Sequence, residues 1–311
     1  MAAIQQYTYN DSSNVTTFTS WAYSISNFLG NTAGWTQTAD TGQLIWSNIS
    51  TVPVSGAYVY EIWKKSDDLT PFFLKMEYGN YSGTTNCPTI RATIGTLTNG
   101  SGNIYGPMIG PFTTNYASYT ANTSIPFDCR YSGDESRFDI LMWRNATNMS
   151  QQIVGVERSL NANGVYTGDH VTLITGGCIN SISQQSLNQA TFIFGKTFQP
   201  IAQSLAAQSN YSAGAPGGFS SYGVRRISQR STVSLSWNGN SAISTTAPFI
   251  GYYDYPLTIF GEGNAADFPE ASIFTTTVYG NTHIYLASNA GNCPYFMAKA
   301  WIGSSMLMRY D

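Results

Sequence analysis

The chain has 311 residues, of which only 14 Lys+Arg and 17 Asp+Glu carry charge, and its formal net charge is −3. With 10% charged residues and 14% aromatics, it is not a disordered chain, which needs few aromatics and high net charge, nor a coiled coil or helical bundle, which needs Ala, Glu, Lys, Leu and Arg in bulk. A basic surplus, the usual mark of a nucleic-acid binder, is missing, and no apolar run approaches the roughly 18 residues of a membrane span.

The first predicted element is a helix over about 16–29. Phe18, Trp21, Ala22, Ile25, Phe28 and Leu29 fall at helical spacing on one face. Thr16 and Thr17 offer an N-cap, and Gly30 stands at the expected stop. From Trp35 onward the pattern turns to strands. Gln43–Trp46, Tyr58–Trp63, Phe72–Tyr78 and Ile90–Leu97 are β-branched and aromatic runs bounded by turn residues. Ser66-Asp67-Asp68 and Asn99-Gly100-Ser101-Gly102 read as turns. This gives an N-terminal α+β unit over 1–103.

Short strands continue at Phe138–Trp143, Gln152–Val156, Val171–Ile174 and Thr191–Phe194. Pattern is lost over about 199–223, rich in Gln, Ser, Ala, Gly and Pro, which reads as a mobile surface loop. Strands resume at Val233–Trp237, Leu257–Phe260, Ile273–Val278, His283–Ala287 and Tyr295–Ile302. The stretch 104–311 is therefore expected to be a β-rich body. The expected class is mainly β with a minor α component (α+β): short antiparallel strands in sandwich-like packing plus one N-terminal amphipathic helix. One compact unit embracing both parts is equally compatible with the pattern.

Chemistry-bearing motifs are sparse. Cys87, Cys129, Cys178 and Cys293 include no CxxC, and His170 and His283 are the two histidines, so a zinc site is not expected. Reduced, buried thiols are expected instead. Gly195-Lys196-Thr197 follows Thr-Phe-Ile-Phe, strand-forming residues that cannot make a phosphate cradle. Asp169 and His170 are adjacent, so a strand points them apart, and no G-x-S-x-G elbow supports a triad. Asp254, Glu262, Asp267 and Glu270 are read as loop chemistry rather than a glycosidase pair. Arg225, Arg226 and Arg230 form the one basic cluster, read as a solvated face or a subunit contact. Tyr252, Tyr253 and Tyr255 are the candidate stacking platform for a glycan. No catalytic residue, metal or cofactor is expected.

Several stretches together carry a resemblance. They are Phe28-Leu-Gly-Asn-Thr-Ala-Gly-Trp35, Tyr58-Val-Tyr-Glu-Ile-Trp-Lys64, Pro71-Phe-Phe-Leu-Lys-Met-Glu-Tyr-Gly79 and Ile90-Arg-Ala-Thr-Ile-Gly-Thr-Leu97. Val154-Gly-Val-Glu-Arg-Ser-Leu160 and Val278-Tyr-Gly-Asn-Thr-His-Ile-Tyr-Leu286 continue the series. The Ile90 stretch runs on through Thr98-Asn-Gly-Ser-Gly102, and the Val154 stretch through Asn161-Ala-Asn-Gly-Val-Tyr-Thr-Gly-Asp169. In this order they resemble a family of tailed-bacteriophage virion structural proteins of tail or baseplate type. The resemblance implies a non-enzymatic assembly component of the tail or baseplate/tail-tip, present in multiple copies. Its partners would be copies of itself and other virion proteins. The protein would be made in the host cytoplasm and reside in the virion, in keeping with an N-terminus that lacks a secretory pattern. A receptor- or glycan-binding tail protein meeting a host surface glycan, and a neck or capsid decoration protein, are the alternatives. Neither nucleic-acid binding nor membrane insertion is expected. The low charge fits the same picture, because such a surface has weak colloidal protection and suits a packed life.

Overall fold

The computed structural model describes residues 3–9, 15–54, 56–65, 67–80, 88–114, 127–144, 151–160, 166–178, 185–193, 201–203, 232–234, 252–254, 259–260, 273–278, 281–289 and 305–309. Among the described residues the chain is mainly β with one α-helix. The elements in order are β1 (Ala3–Tyr9), α1 (Val15–Asn27), β2 (Thr36–Gln37), β3 (Tyr58–Lys64), β4 (Phe73–Asn80), β5 (Pro88–Thr98) and β6 (Ile104–Thr113). There follow β7 (Phe127–Asp134), β8 (Arg137–Arg144), β9 (Gln151–Leu160), β10 (Tyr166–Cys178), β11 (Gln185–Ile193) and β12 (Ile201–Gln203). The last are β13 (Thr232–Ser234), β14 (Tyr252–Asp254), β15 (Ile259–Phe260), β16 (Ile273–Val278), β17 (Asn281–Asn289) and β18 (Ser305–Arg309). The paired strands are antiparallel throughout.

Two large sheets share one core. A five-stranded sheet runs β2-β3-β4-β5-β6, and a seven-stranded sheet runs β1-β7-β8-β9-β10-β11-β12. Strand alternation sorts each into an inner and an outer face. Leu74, Met76 and Tyr78 on β4, and Ile90, Ala92 and Ile94 on β5, face inward. They meet Cys129 and Tyr131 on β7, Phe138, Ile140 and Met142 on β8, and Val154 and Val156 on β9. The point between 103 and 104 falls between β5 and β6, which pair with each other. N-terminal β1 pairs with β7.

Helix α1 fills one end of the gap between the sheets. Its predicted face, Phe18, Trp21, Ala22, Ile25, Phe28 and Leu29, has no solvent exposure. Trp21 packs edge-on against Tyr78 of one sheet and Phe127 of the other, with ring centroids 6.1 and 6.3 Å away. At the other end the sheets meet without the helix, and polar groups pin them. Thr114 Oγ1 donates to Gln152 Oε1 at 2.5 Å, and Gln152 Nε2 donates to the Pro88 carbonyl at 2.9 Å.

Local expectations change in three places. The helix already begins at Val15, so Thr16 and Thr17 lie inside its first turn and not at its N-cap. It does not stop at Gly30 but continues as a π-turn over Phe28–Thr32. A Cβ on Gly30 would lie 3.3 Å from the Trp63 ring, so this glycine makes room for the indole. The stop is Gly34, at φ +78°, where the Trp35 N–H bonds back to the Leu29 carbonyl at 2.9 Å. Gln43–Trp46 is not a strand. The Gln43 side chain accepts the Ile62 N–H at 2.7 Å in place of a ladder carbonyl, and the chain then coils into a 3-10 turn over Trp46–Asn48.

The outer face of β7, β8 and β9 is buried as well. β8 and β9 are both paired on each edge, and β18 lies against β8 while β14 lies against β9. Arg130, Ser132, Arg137, Asp139, Leu141 and Glu157 of that face are buried.

Candidate functional site

The residues singled out in the sequence are scattered. Tyr252 and Tyr253 lie on β14, in register with Ser234 and Val233 of β13, on the strand that packs against β9. Tyr255, Arg225, Arg226, Arg230, Glu262, Asp267, Glu270 and the Gly195-Lys196-Thr197 stretch lie outside the described residues. His170 is on β10 opposite Ile193, and His283 is on β17 opposite Thr276. Cys129 is a buried free thiol, and burial pushes its ionisation up. Among the described residues, no group of three or more His, Cys, Asp or Glu could hold a metal ion.

Two buried polar clusters stand out. The first grows from the β3–β4 connection, where the Ser66-Asp67-Asp68 turn was expected. Asp67 accepts from Arg158 of β9 at both oxygens, 2.6 Å from Nε and 3.1 Å from Nη2. Ser136, in the turn between β7 and β8, donates to the same carboxylate at 2.6 Å. Lys65 pairs with Asp67 and donates to the carbonyls of Asp67 and Leu69, both at 2.8 Å. Arg158 also reaches the Thr70 carbonyl and lies over the Phe72 ring, 5.0 Å from its centroid. One carboxylate thus ties a loop of the five-stranded sheet to a strand and a turn of the other. Burial pushes the Arg158 guanidinium down to about 10. Burial and the Arg158 charge push the Lys65 ammonium below the ordinary lysine range.

The second cluster surrounds Glu61, on the inner face of β3 and without solvent exposure. Ser26 of α1 donates to its Oε1 at 2.9 Å, and the Trp46 indole N–H donates to the same oxygen at 3.1 Å. Tyr78 of β4 donates to Oε2 at 3.3 Å. Among the described residues no salt bridge joins Glu61 to a cation. Loss of hydration therefore outweighs the three donors, and the carboxyl is pushed up to about 7. A perturbed carboxyl of this kind commonly marks a working group.

Trp46 also links Glu61 to exposed apolar side chains. The Trp46 ring meets Tyr23 edge-on at 5.4 Å, and Tyr23 and the adjacent Ile45 are 49% and 59% exposed. Leu97 and Tyr105 form a second exposed pair, opposite each other on β5 and β6. Several charges of the described residues lie inside. Asp40, Glu61, Lys65, Glu77, Arg130, Arg137, Asp139, Glu157 and Arg158 are all buried.

Neither Glu61 nor the Asp67–Arg158 pair was visible as a site in the sequence. Glu61 sits within an aromatic strand run, and an acid at a core-facing position of such a run is the one local signal. Comparison with known proteins adds no relative: no family model, no curated protein and no solved structure matches this chain.

Proposed function

We propose that this protein is a non-enzymatic structural component of a bacteriophage virion, of tail or baseplate/tail-tip type. It acts through interfaces with copies of itself and with other virion proteins. The observation that carries the reading is the inverted placement of charge. The chain has 31 charged residues, and nine of them are buried among the described residues. Ordinary soluble domains keep such side chains in water. Here Arg158 ties the two large sheets through Asp67, which Lys65 also pairs, while Tyr23, Ile45, Val54, Leu97 and Tyr105 face out. Aromatic and aliphatic surface of this kind favours association, and sparse charge does little to oppose it. The resemblance of Tyr58–Lys64, Pro71–Gly79 and the other stretches to virion proteins supplies the setting.

The test is the protein content of purified particles from the phage that encodes the chain. Mass spectrometry of the tail fraction should find it at a stoichiometry of several copies per particle. Its absence from washed, intact particles would refute the reading.

A further inference from the structure

We propose that Glu61 is a protonation switch that sets how firmly the Trp46–Asn48 turn is docked, and with it the exposed Tyr23–Ile45–Trp46 surface. The inference stands on the folded chain alone and does not depend on the virion reading.

The geometry carries it. Glu61 is held by groups from three elements besides its own strand: Ser26 of α1, Trp46 of the 3-10 turn and Tyr78 of β4. Ser26 and Tyr78 are buried, whereas Trp46 is half-buried. Of the three donors, the one on the turn is thus the one that touches solvent. The turn is also lightly held, since its described backbone bonds are Asn48 N–H to the Ile45 carbonyl and Ile49 N–H to the Trp46 carbonyl.

The charged surroundings leave Glu61 to act alone. Tyr78 is the titratable group facing it, and burial and the Glu61 charge push that phenol up, so it stays neutral. Lys64, Lys75, Glu77 and Arg91 belong to the outer face of the sheet. Lys64 is exposed, Lys75 lies over the Tyr60 ring, and Glu77 is bonded by Arg91.

The two forms then differ in what they ask of the turn. A neutral Glu61 is content in a sealed chamber. An ionised one gains stronger bonds from Ser26, Trp46 and Tyr78 but pays for lost hydration. Its cheapest relief is water, and water enters through the half-buried indole. Acid therefore closes the turn and orders the surface patch, and alkali loosens both. The change falls near neutrality.

The experiment uses the full chain labelled with ¹⁵N-tryptophan, with the Trp46 indole assigned by its loss in Trp46→Phe. Between pH 5 and 9 the Trp46 N–H resonance should shift with a midpoint near 7. Its exchange with solvent should speed up above that midpoint by more than free indole does, while Trp21 stays protected. Glu61→Gln should flatten the Trp46 response. Ser26→Ala, which removes one donor to the carboxylate, should move the midpoint upward. A Trp46 resonance that is flat across the range would overturn the proposal, as would a transition that persists in Glu61→Gln. If Glu61→Gln does not fold, Ser26→Ala decides, and an unmoved midpoint there is equally fatal.

Discussion

At the scale of single residues, nine charged side chains among the described residues are buried, and for Glu61 the cost is one that pH exposes. The Glu61 carboxyl is raised from 4.5 to about 7 by burial. Protons are therefore bound more tightly by the folded than by the unfolded chain. The stability this group contributes is fully present below about pH 4.5 and is lost as pH rises through about 7. At ~1.4 kcal/mol per pH unit between those values, the loss is about 3 kcal/mol. Urea unfolding of the wild type at pH 5 and pH 8.5 should show that decline, and Glu61→Gln should remove most of it. Equal slopes in the two proteins would mean the burial is not felt. Arg158 shows the opposite dependence on a partner. Arg158→Ala leaves Asp67 with Lys65, Ser136 and the Leu69 N–H, and breaking a buried pair of this kind costs about 3–5 kcal/mol. Denaturation midpoints would reveal it, and a loss under about 1 kcal/mol would show that the pair is only decorative.

At the scale of elements, the helix end illustrates how backbone and packing divide the work. Gly34 has nothing within 4 Å of a would-be Cβ, so its requirement is purely the positive φ. Gly34→Ala should cost about 1 kcal/mol from backbone strain. A thermal shift of a few degrees measures it, and no shift would mean that the turn relaxes freely. Helical spacing made α1 legible because its apolar face is a local signal. Other elements were hidden for physical reasons. β6 reads Ile-Tyr-Gly-Pro-Met-Ile-Gly-Pro-Phe-Thr, and two prolines disguise a strand whose register with β5 is twice shifted. β7 alternates Phe127, Cys129 and Tyr131 inward with Asp128, Arg130 and Ser132 outward. The outward set looks like surface in the sequence, yet Arg130 and Ser132 are buried. β1 became a strand only by pairing with β7, more than a hundred residues away. Gln43–Trp46 failed in the other direction, because a short apolar run says nothing about a side chain replacing a ladder bond. The clusters at Glu61 and Asp67 were illegible for the same reason as β1. Their donors come from elements far apart in the chain.

At the scale of the whole molecule, two sheets and a helix are held together by a division of labour. The inner faces of the two large sheets and α1 make one apolar core. Tyr9, Ser24 and Tyr131 add a buried hydroxyl chain that fastens the helix to β1 and β7, at 2.7 and 2.8 Å. Asp67 and Arg158 clamp the same two sheets by charge, and β18 and β14 lie against β8 and β9. Among the described residues, Tyr7, Tyr23, Ile45, Val54, Leu97 and Tyr105 are large hydrophobic side chains left exposed. Such a surface is suited to lasting contact with neighbours. Sedimentation velocity of the purified full chain across a range of concentrations tests this most directly. The account predicts a discrete assembly well above the 33.9 kDa of one chain. A species that stays at 33.9 kDa as concentration is raised would contradict it.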